Sequence, residues 1–286
     1  MAGIEAWTEF WGLQSPDAPA VIGPAGAVGW GELAAQVQGI ARSLGPGDVV
    51  APGADGSDVL ELVLGCAAAG AVLDLTGACG PDAPARWTAR PATRDGGATT
   101  GMRRPLLVLP ADLTPDGTVA LTHHDVEALA VAGIAADGLW PADRVATTGS
   151  PVERLLAALP ALHAGAAITE DDATVLHGAA PEPVAGTRLR RIVVREPAPP
   201  GIVAGWGALG VDVVLTYGPV EASGFGLREP RPGAPLVALP GRRARVVDGE
   251  LQLAGAGVVA GGWLRTGRRA VEAPSGFRLA DLAVAR

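Results

Sequence analysis

RRIVVREPAPPGIVAGWGALGVDVVLTYG, residues 190–218, reads as a strand, a short helix and a second strand. The outer runs, 190–196 and 211–218, are dominated by valine, isoleucine and leucine, and the middle, about 200–209, has the length of a short helix. Strands joined by a helix pair in parallel, and a strand buried on both faces is apolar throughout rather than alternating. The stretch therefore predicts a βαβ unit. The second strand ends in an aromatic residue, a Gly-Pro turn and an acid, Tyr217, Gly218, Pro219 and Glu221. In an open α/β sheet, ligands lie beyond the carboxyl ends of the strands, so this is where chemistry is expected.

Outward from there the alternation continues. Towards the N-terminus, strands are expected at 104–110, 118–122, 144–149, 166–169 and 174–178, with helices at 124–136 and 151–165. A first set precedes them: a helix at 3–13, a hairpin at 20–30, helices at 31–45 and 57–69, and strands at 48–53 and 71–77. Residues 78–104, rich in Pro, Gly and Arg, read as a long loop or linker. After residue 232 the pattern becomes β, with a hairpin at 244–253 turning on Asp248-Gly249. The fold class is α/β: two α/β layers with mostly parallel sheets and a small β-rich C-terminal section. The expected division is 1–100 (with the 78–104 linker), 104–230 and 231–286.

Composition narrows the function. The 286 residues are 48% hydrophobic and 18% charged, as in a globular chain. A net charge of −8 excludes a nucleic-acid partner of the ordinary basic kind. The longest apolar run, 59–75, carries Glu61 and Asp74 and reads as a helix and a strand rather than a membrane span. Two cysteines, Cys66 and Cys79, and an N-terminus without a signal pattern fit a cytoplasmic location. All 22 basic residues are arginine, and there is no asparagine. Any step that needs a lysine must take it from another chain.

Individual motifs are weaker. Gly205–Gly210 matches G-x-G-x-x-G but precedes a strand instead of following one, so a dinucleotide site is not expected. Thr147–Ser150, between a strand and a helix, has the makings of an anion cradle, but Ser150 and Glu153 also form a capping box with Pro151 at the first helical position. His123 and His124 point about 100° apart at a helix start and do not share a metal easily. They read as an ordinary helix start, with one polarising a substrate as the alternative. His163 reads as a core residue, and His177 has no partner visible in the sequence.

TYGPVEAS, 216–223, resembles the YGPTE motif of the adenylate-forming superfamily, which includes acyl-CoA synthetases, aryl-CoA ligases, peptide-synthetase adenylation domains and luciferase. Segments 15–44, 45–75, 119–130, 155–168 and 241–267 are similar to further family segments in the same order. The resemblance implies the large N-terminal domain of that family, with AMP or ATP and Mg as cofactors. It carries over Tyr217, Gly218, Pro219, Thr216 and Thr118 as nucleotide-contacting residues and Glu221 as the metal-binding acid. Departures accompany it. The phosphate loop is shortened to 111–123 and lacks its lysine; the motif threonine is Val220; the ribose-binding aspartate is Arg268. The family's small C-terminal lid domain, which bears the catalytic lysine, is not expected after Arg286.

The implied function is a truncated, degenerate member that binds an acyl, aryl or aminoacyl group, or its adenylate, in a biosynthetic pathway with ATP chemistry lost or repurposed. Glu221, His123 and His124 are then the acid–base candidates for an ATP-independent step. The alternatives are an active carboxylate–AMP ligase completed by a C-terminal domain in trans, and a structural pseudoenzyme. A carrier protein or partner ligase is the expected protein partner. The Ala, Leu and Gly lining expected between the 151–165 helix and the 211–218 strand implies a small or apolar ligand.

Overall fold

The computed structural model describes residues 3–53, 59–77, 88–90, 104–222, 224, 226–258 and 262–280. The chain forms two compact units, Met1–Glu127 and Ala128–Arg286.

The first unit begins with α1 (Glu5–Gln14), an antiparallel hairpin β1 (Pro19–Gly23) and β2 (Gly26–Gly29), and α2 (Trp30–Ser43). Then follow β3 (Val49–Ala51), α3 (Val59–Ala69), β4 (Val72–Asp74), β5 (Thr88–Arg90), β6 (Pro105–Pro110) and β7 (Thr118–Thr122). The sheet order is β5-β3-β4-β6-β7, parallel at the centre and antiparallel at both edges. Helix α3 is buried along most of its length. It packs closely on α2 because residue 65 is glycine: a Cβ there would lie 2.5 Å from Ile40 Cγ2. Apart from β5, the expected 78–104 linker lies outside the described residues up to Arg104.

The unit boundary falls within α4 (His123–Asp137). The second unit continues with β8 (Arg144–Thr147), α5 (Pro151–Ala164), β9 (Ala167–Thr169), β10 (Val175–His177), β11 (Arg191–Val194), α6 (Pro200–Ala208) and β12 (Asp212–Tyr217). Strands β9, β8, β10, β11 and β12 are parallel neighbours in that order. β13 (Leu227–Arg228) and β14 (Val237–Ala238) extend the sheet antiparallel. An antiparallel meander of β15 (Arg242–Val247), β16 (Glu250–Gly255), β17 (Leu264–Ala273) and β18 (Gly276–Leu279) follows. Its first turn has Asp248 and Gly249 both at positive φ, 53° and 77°, as a two-residue primed turn requires.

The apolar runs that predicted parallel strands face two cores. Ile192, Val194, Val213 and Leu215 join Trp206 on one side of the sheet, and Val193 and Val214 join Val145 and Val175 on the other. This side-to-side alternation decides where the polar residues at the strand ends point.

The start of this sheet is tied by charge. Arg190 forms two bonds to Asp143, from Nε at 3.2 Å and Nη2 at 2.8 Å, and donates to the carbonyls of Asp137 and Gly138. Arg191 donates to the carbonyl of Ala136. The two guanidiniums thus satisfy the last carbonyls of α4, where a helix dipole favours positive charge.

Candidate functional site

The carboxyl ends of β8, β10, β11 and β12 open onto a cavity of about 420 Å³, lined among others by Thr148, Glu153, His177, Arg195, Glu196 and Thr216. Its side wall is α5. That helix is fixed at its start by the expected capping box: Ser150 Oγ accepts from the Glu153 amide at 3.3 Å, and Glu153 Oε2 accepts from the Ser150 amide at 2.9 Å. Thr147–Ser150 is therefore a helix cap whose Thr148 also lines the cavity.

His177 and Thr216 reach the cavity because each continues the inward face of its strand, after Val175 and Val214. The histidine has a buried partner. Its Nε2 stands 3.1 Å from Asp137 Oδ2, and Arg228 Nη1 bonds Asp137 Oδ1. Burial works against the charge of Asp137, but Arg228, then His177 and Arg191, outweigh it and hold the carboxyl at about 2. Asp137 is thus an anion clamped between an arginine and a histidine. Thr216 Oγ1 donates to the Leu227 carbonyl at 3.1 Å.

Two glycines let the walls close. At Gly178, with φ 148°, any Cβ would overlap Thr148 Oγ1. At Gly224, with φ 72°, a Cβ would lie 2.7 Å from Arg195 Nη2. Arg195 Nε is 3.8 Å from Glu153 Oε1. Burial pulls the Arg195 pKa down and Glu153 partly restores it, and a guanidinium stays charged at neutral pH. On the other face, between α6 and the strands, lies an apolar cavity of about 380 Å³ whose lining includes the Glu229 carboxylate. Glu229 Oε2 accepts from the Leu215 amide at 3.1 Å.

The residues singled out in the sequence are spread more widely. Thr216 lines the first cavity. Tyr217 is half-buried at the end of β12, and Gly218 and Pro219 make the turn, with the Pro219 carbonyl accepting from Ala222 and Gly224 at 2.9 Å. Glu221 is buried in a single 3-10 turn, Val220–Ala222. Tyr217, Gly218, Pro219 and Glu221 line neither cavity. Thr118, His123 and His124 belong to the first unit. His123 is buried 3.9 Å from Glu5, and burial, then Arg104, lower its pKa against the pull of Glu5; His124 is exposed. His163 is half-buried, less enclosed than a core residue. Asp137, His177, Arg195 and Arg228 carry no sequence motif. The mark available was His177 at the carboxyl end of a strand.

The residues at the expected phosphate loop fit a triphosphate poorly. Between β6 and β7, residues 111–117 close on themselves: the Ala111 amide bonds Gly117 O, the Gly117 amide bonds Thr114 O, and Thr114 Oγ1 bonds Thr118 O. A phosphate cradle needs such amides turned outward and positive charge nearby. This loop turns those donors inward and exposes Asp112 and Asp116. Among the described residues no cluster of three Asp, Glu, His or Cys side chains is arranged to hold a metal ion, and no helix is long and apolar enough to cross a membrane.

No protein-family model matches the chain, and no curated protein matches it in sequence. Solved structures do. The chain is similar to a fatty acyl-CoA synthetase of Mycobacterium tuberculosis, with a TM-score of 0.76 at 15% identity, covering 98% of this chain and 78% of that one. It is similar to the inhibitor-bound N-terminal domain of FACL13 from the same organism, with a TM-score of 0.75 at 16% identity, covering 99% and 100%. A third likeness is to o-succinylbenzoate CoA synthetase of Bacillus subtilis, solved with a product analogue, with a TM-score of 0.75 at 15% identity, covering 96% and 78%.

Proposed function

We infer that this chain, which has the fold of the large N-terminal domain of adenylate-forming enzymes, binds an acyl, aryl or aminoacyl group at the carboxyl edge of its second sheet and does not by itself carry out ATP-dependent ligation. The observation that carries this reading is the pairing of an open 420 Å³ cavity at that edge with a phosphate loop closed on itself and lined by carboxylates. Adenylation gathers negative charge on a pentacovalent phosphate. Losing one preorganised donor there typically costs about a hundred- to a thousandfold in rate. The acyl or aryl chemistry is supported by the structural neighbours, one of which is a complex with a CoA product analogue. A carrier protein or partner ligase is the expected source of the group.

The test is ATP–pyrophosphate exchange with a panel of carboxylic acids, run beside thermal shifts with the same acids, their acyl-adenylate mimics and ATP–Mg. Stabilisation by acids or mimics without exchange supports the reading. Robust exchange overturns it in favour of a second one, an active carboxylate–AMP ligase with an arginine-based site. That reading draws on Arg195, a cation at the cavity wall of a chain without lysine. In that case Arg195→Ala should remove the exchange.

A further inference from the structure

The meander β15–β18 turns one face to the core and one outward. Leu251, Leu253, Leu264, Ala270 and Leu279 point inward. By the two-residue period of a strand, their neighbours Gln252, Arg265, Arg269 and Arg278 take the other face. Arg245 is the cross-strand partner of Gln252, and Arg243 stands two residues before it, so both join that face. All five arginines are exposed. The acid that the register sets among them is Glu250, the partner of Arg269, and it is engaged elsewhere. Its Oε2 accepts from Arg265 Nε at 2.9 Å, and its Oε1 accepts from the Gly267 amide at 2.9 Å. Residues 241–280 hold seven of the 22 arginines and three of the 30 acids, a local excess of positive charge in a chain of net charge −8.

Two of these arginines are fixed in place without being neutralised. Arg245 donates to Gln252 Oε1 from Nε at 3.0 Å and Nη2 at 2.8 Å, and its guanidinium lies 4.1 Å from the centre of the Trp263 ring. The Arg243 guanidinium lies 5.6 Å from the same ring. A neutral amide and an aromatic face orient a guanidinium and leave its charge whole. Among the described residues, Arg243, Arg245, Arg269 and Arg278 form no ion pair with an acid. Like charges gathered this way repel one another, a cost that an anionic partner removes. We propose that this outward face docks an acidic helix of a partner protein. Arg243 and Arg245, two residues apart on one strand, are about 7 Å apart, and Arg245 and Arg265, two strands apart, about 10 Å. Carboxylates four and seven residues apart on a helix are separated by about 6 and 10.5 Å. A guanidinium fork takes a carboxylate with two parallel bonds. Trp263 decides against other polyanions. Half-buried and covered by Arg245, its ring is not open for a nucleobase to stack on or for burial among lipid headgroups. The proposal goes beyond the acyl-site reading and does not depend on it.

The experiment uses the full chain and two fluorescent helical peptides of the same composition. One carries its glutamates four and seven residues apart on a single face; the other spreads them around the helix. Binding is followed by anisotropy at low and at physiological salt. The one-faced peptide should bind roughly fivefold tighter or more, and its affinity should fall as salt rises. Replacing Arg245, Arg269 and Arg278 together by glutamine should weaken it about tenfold. Glutamine at Arg42, Arg154 and Arg188, also exposed, changes the net charge equally and should alter binding less than about twofold. Melting curves establish that both variants fold. Equal binding of the two peptides, or an equal loss in the two variants, would mean that the chain responds to bulk charge alone and overturns the proposal. So does binding of neither peptide. Phosphatidylserine vesicles and a single-stranded oligonucleotide are run alongside; if the first variant loses binding to one of these while no peptide binds, the face serves a different partner and the proposal is wrong.

Discussion

Asp137 shows how a single buried charge is held in this molecule. Its carboxylate lies between Arg228 and His177 with no exposure to solvent. Removing one member of such a group leaves the other's charge uncompensated, at a typical cost of about 3–5 kcal/mol. Arg228→Met should therefore lower the free energy of unfolding by that order, read as a shift in urea midpoint at pH 7. The pH dependence has a definite sign. The folded pKa of Asp137, about 2, lies below the unfolded value of 3.8, so the unfolded chain takes up the proton first. The stabilisation is complete above pH 3.8 and is lost as the pH falls towards 2, amounting to about 2 kcal/mol. Asp143, also lowered, adds to the loss on the acid side. Asp137→Asn should flatten this acid limb; an unchanged limb would show that Asp137 is not held as an anion. At Cys66 burial, with Asp48 adding to it, pushes the thiol up to about 12. With Cys79 replaced by serine, the folded protein at pH 8 should leave a disulfide reagent unreacted and yield one thiol after denaturation; rapid labelling of the folded form would refute this. None of the Asp137 cluster was legible in the sequence. His177 and Asp137 are brought together by parallel sheet pairing and a helix end, and no local pattern reports a contact between residues so far apart along the chain.

Elements were legible where their signals are local. The Ser150–Glu153 box announces the start of α5, and Asp248-Gly249 announces the β15–β16 turn, because both depend on neighbouring residues alone. The strand ends reflect close approach between elements, which the sequence hides. Gly178 looks like any turn glycine, yet it packs directly on Thr148, one strand away. Gly178→Ala is expected to destabilise by roughly 1–3 kcal/mol through overpacking, with an added cost for its positive φ. Thr148→Gly in the same chain should recover the overpacking part, so that the double variant is more stable than the sum of the singles predicts. Strictly additive melting data would mean that the two positions do not meet. Helix α5 has a parallel case in its own interior. Pro160 gives up one helical hydrogen bond and fits against Gly133 of α4, where a Cβ would fall 2.5 Å from Pro160 Cγ. The phosphate loop was read from a resemblance in order and spacing, and such a likeness does not report which way the amides of 111–117 face.

At the scale of the whole molecule, the order of similar segments along the chain was enough to reveal the fold, although identity to the solved neighbours is only 15–16%. Core positions tolerate exchange among Val, Leu, Ile and Ala, so pattern persists after identity has faded. Function is less tolerant, since it rests on a few polar atoms in fixed places. Hydrogen exchange followed along the full chain separates the two. A ligand bound at one hundred times its Kd stabilises the folded state by about 2.7 kcal/mol and slows exchange most where it shields backbone amides. A bound acid or acyl-adenylate mimic should protect the carboxyl ends of β10, β11 and β12, which bound the 420 Å³ cavity. ATP–Mg alone should leave 111–118 unchanged, because the Ala111 and Gly117 amides are already bonded within the loop and Asp112 and Asp116 repel phosphate. Protection of 111–118 by ATP–Mg would mean that the loop reopens to hold phosphate, and the chain would then have to be read as a nucleotide-using ligase. Protection confined to the strand ends would place the bound ligand where His177, Thr216 and Arg195 stand.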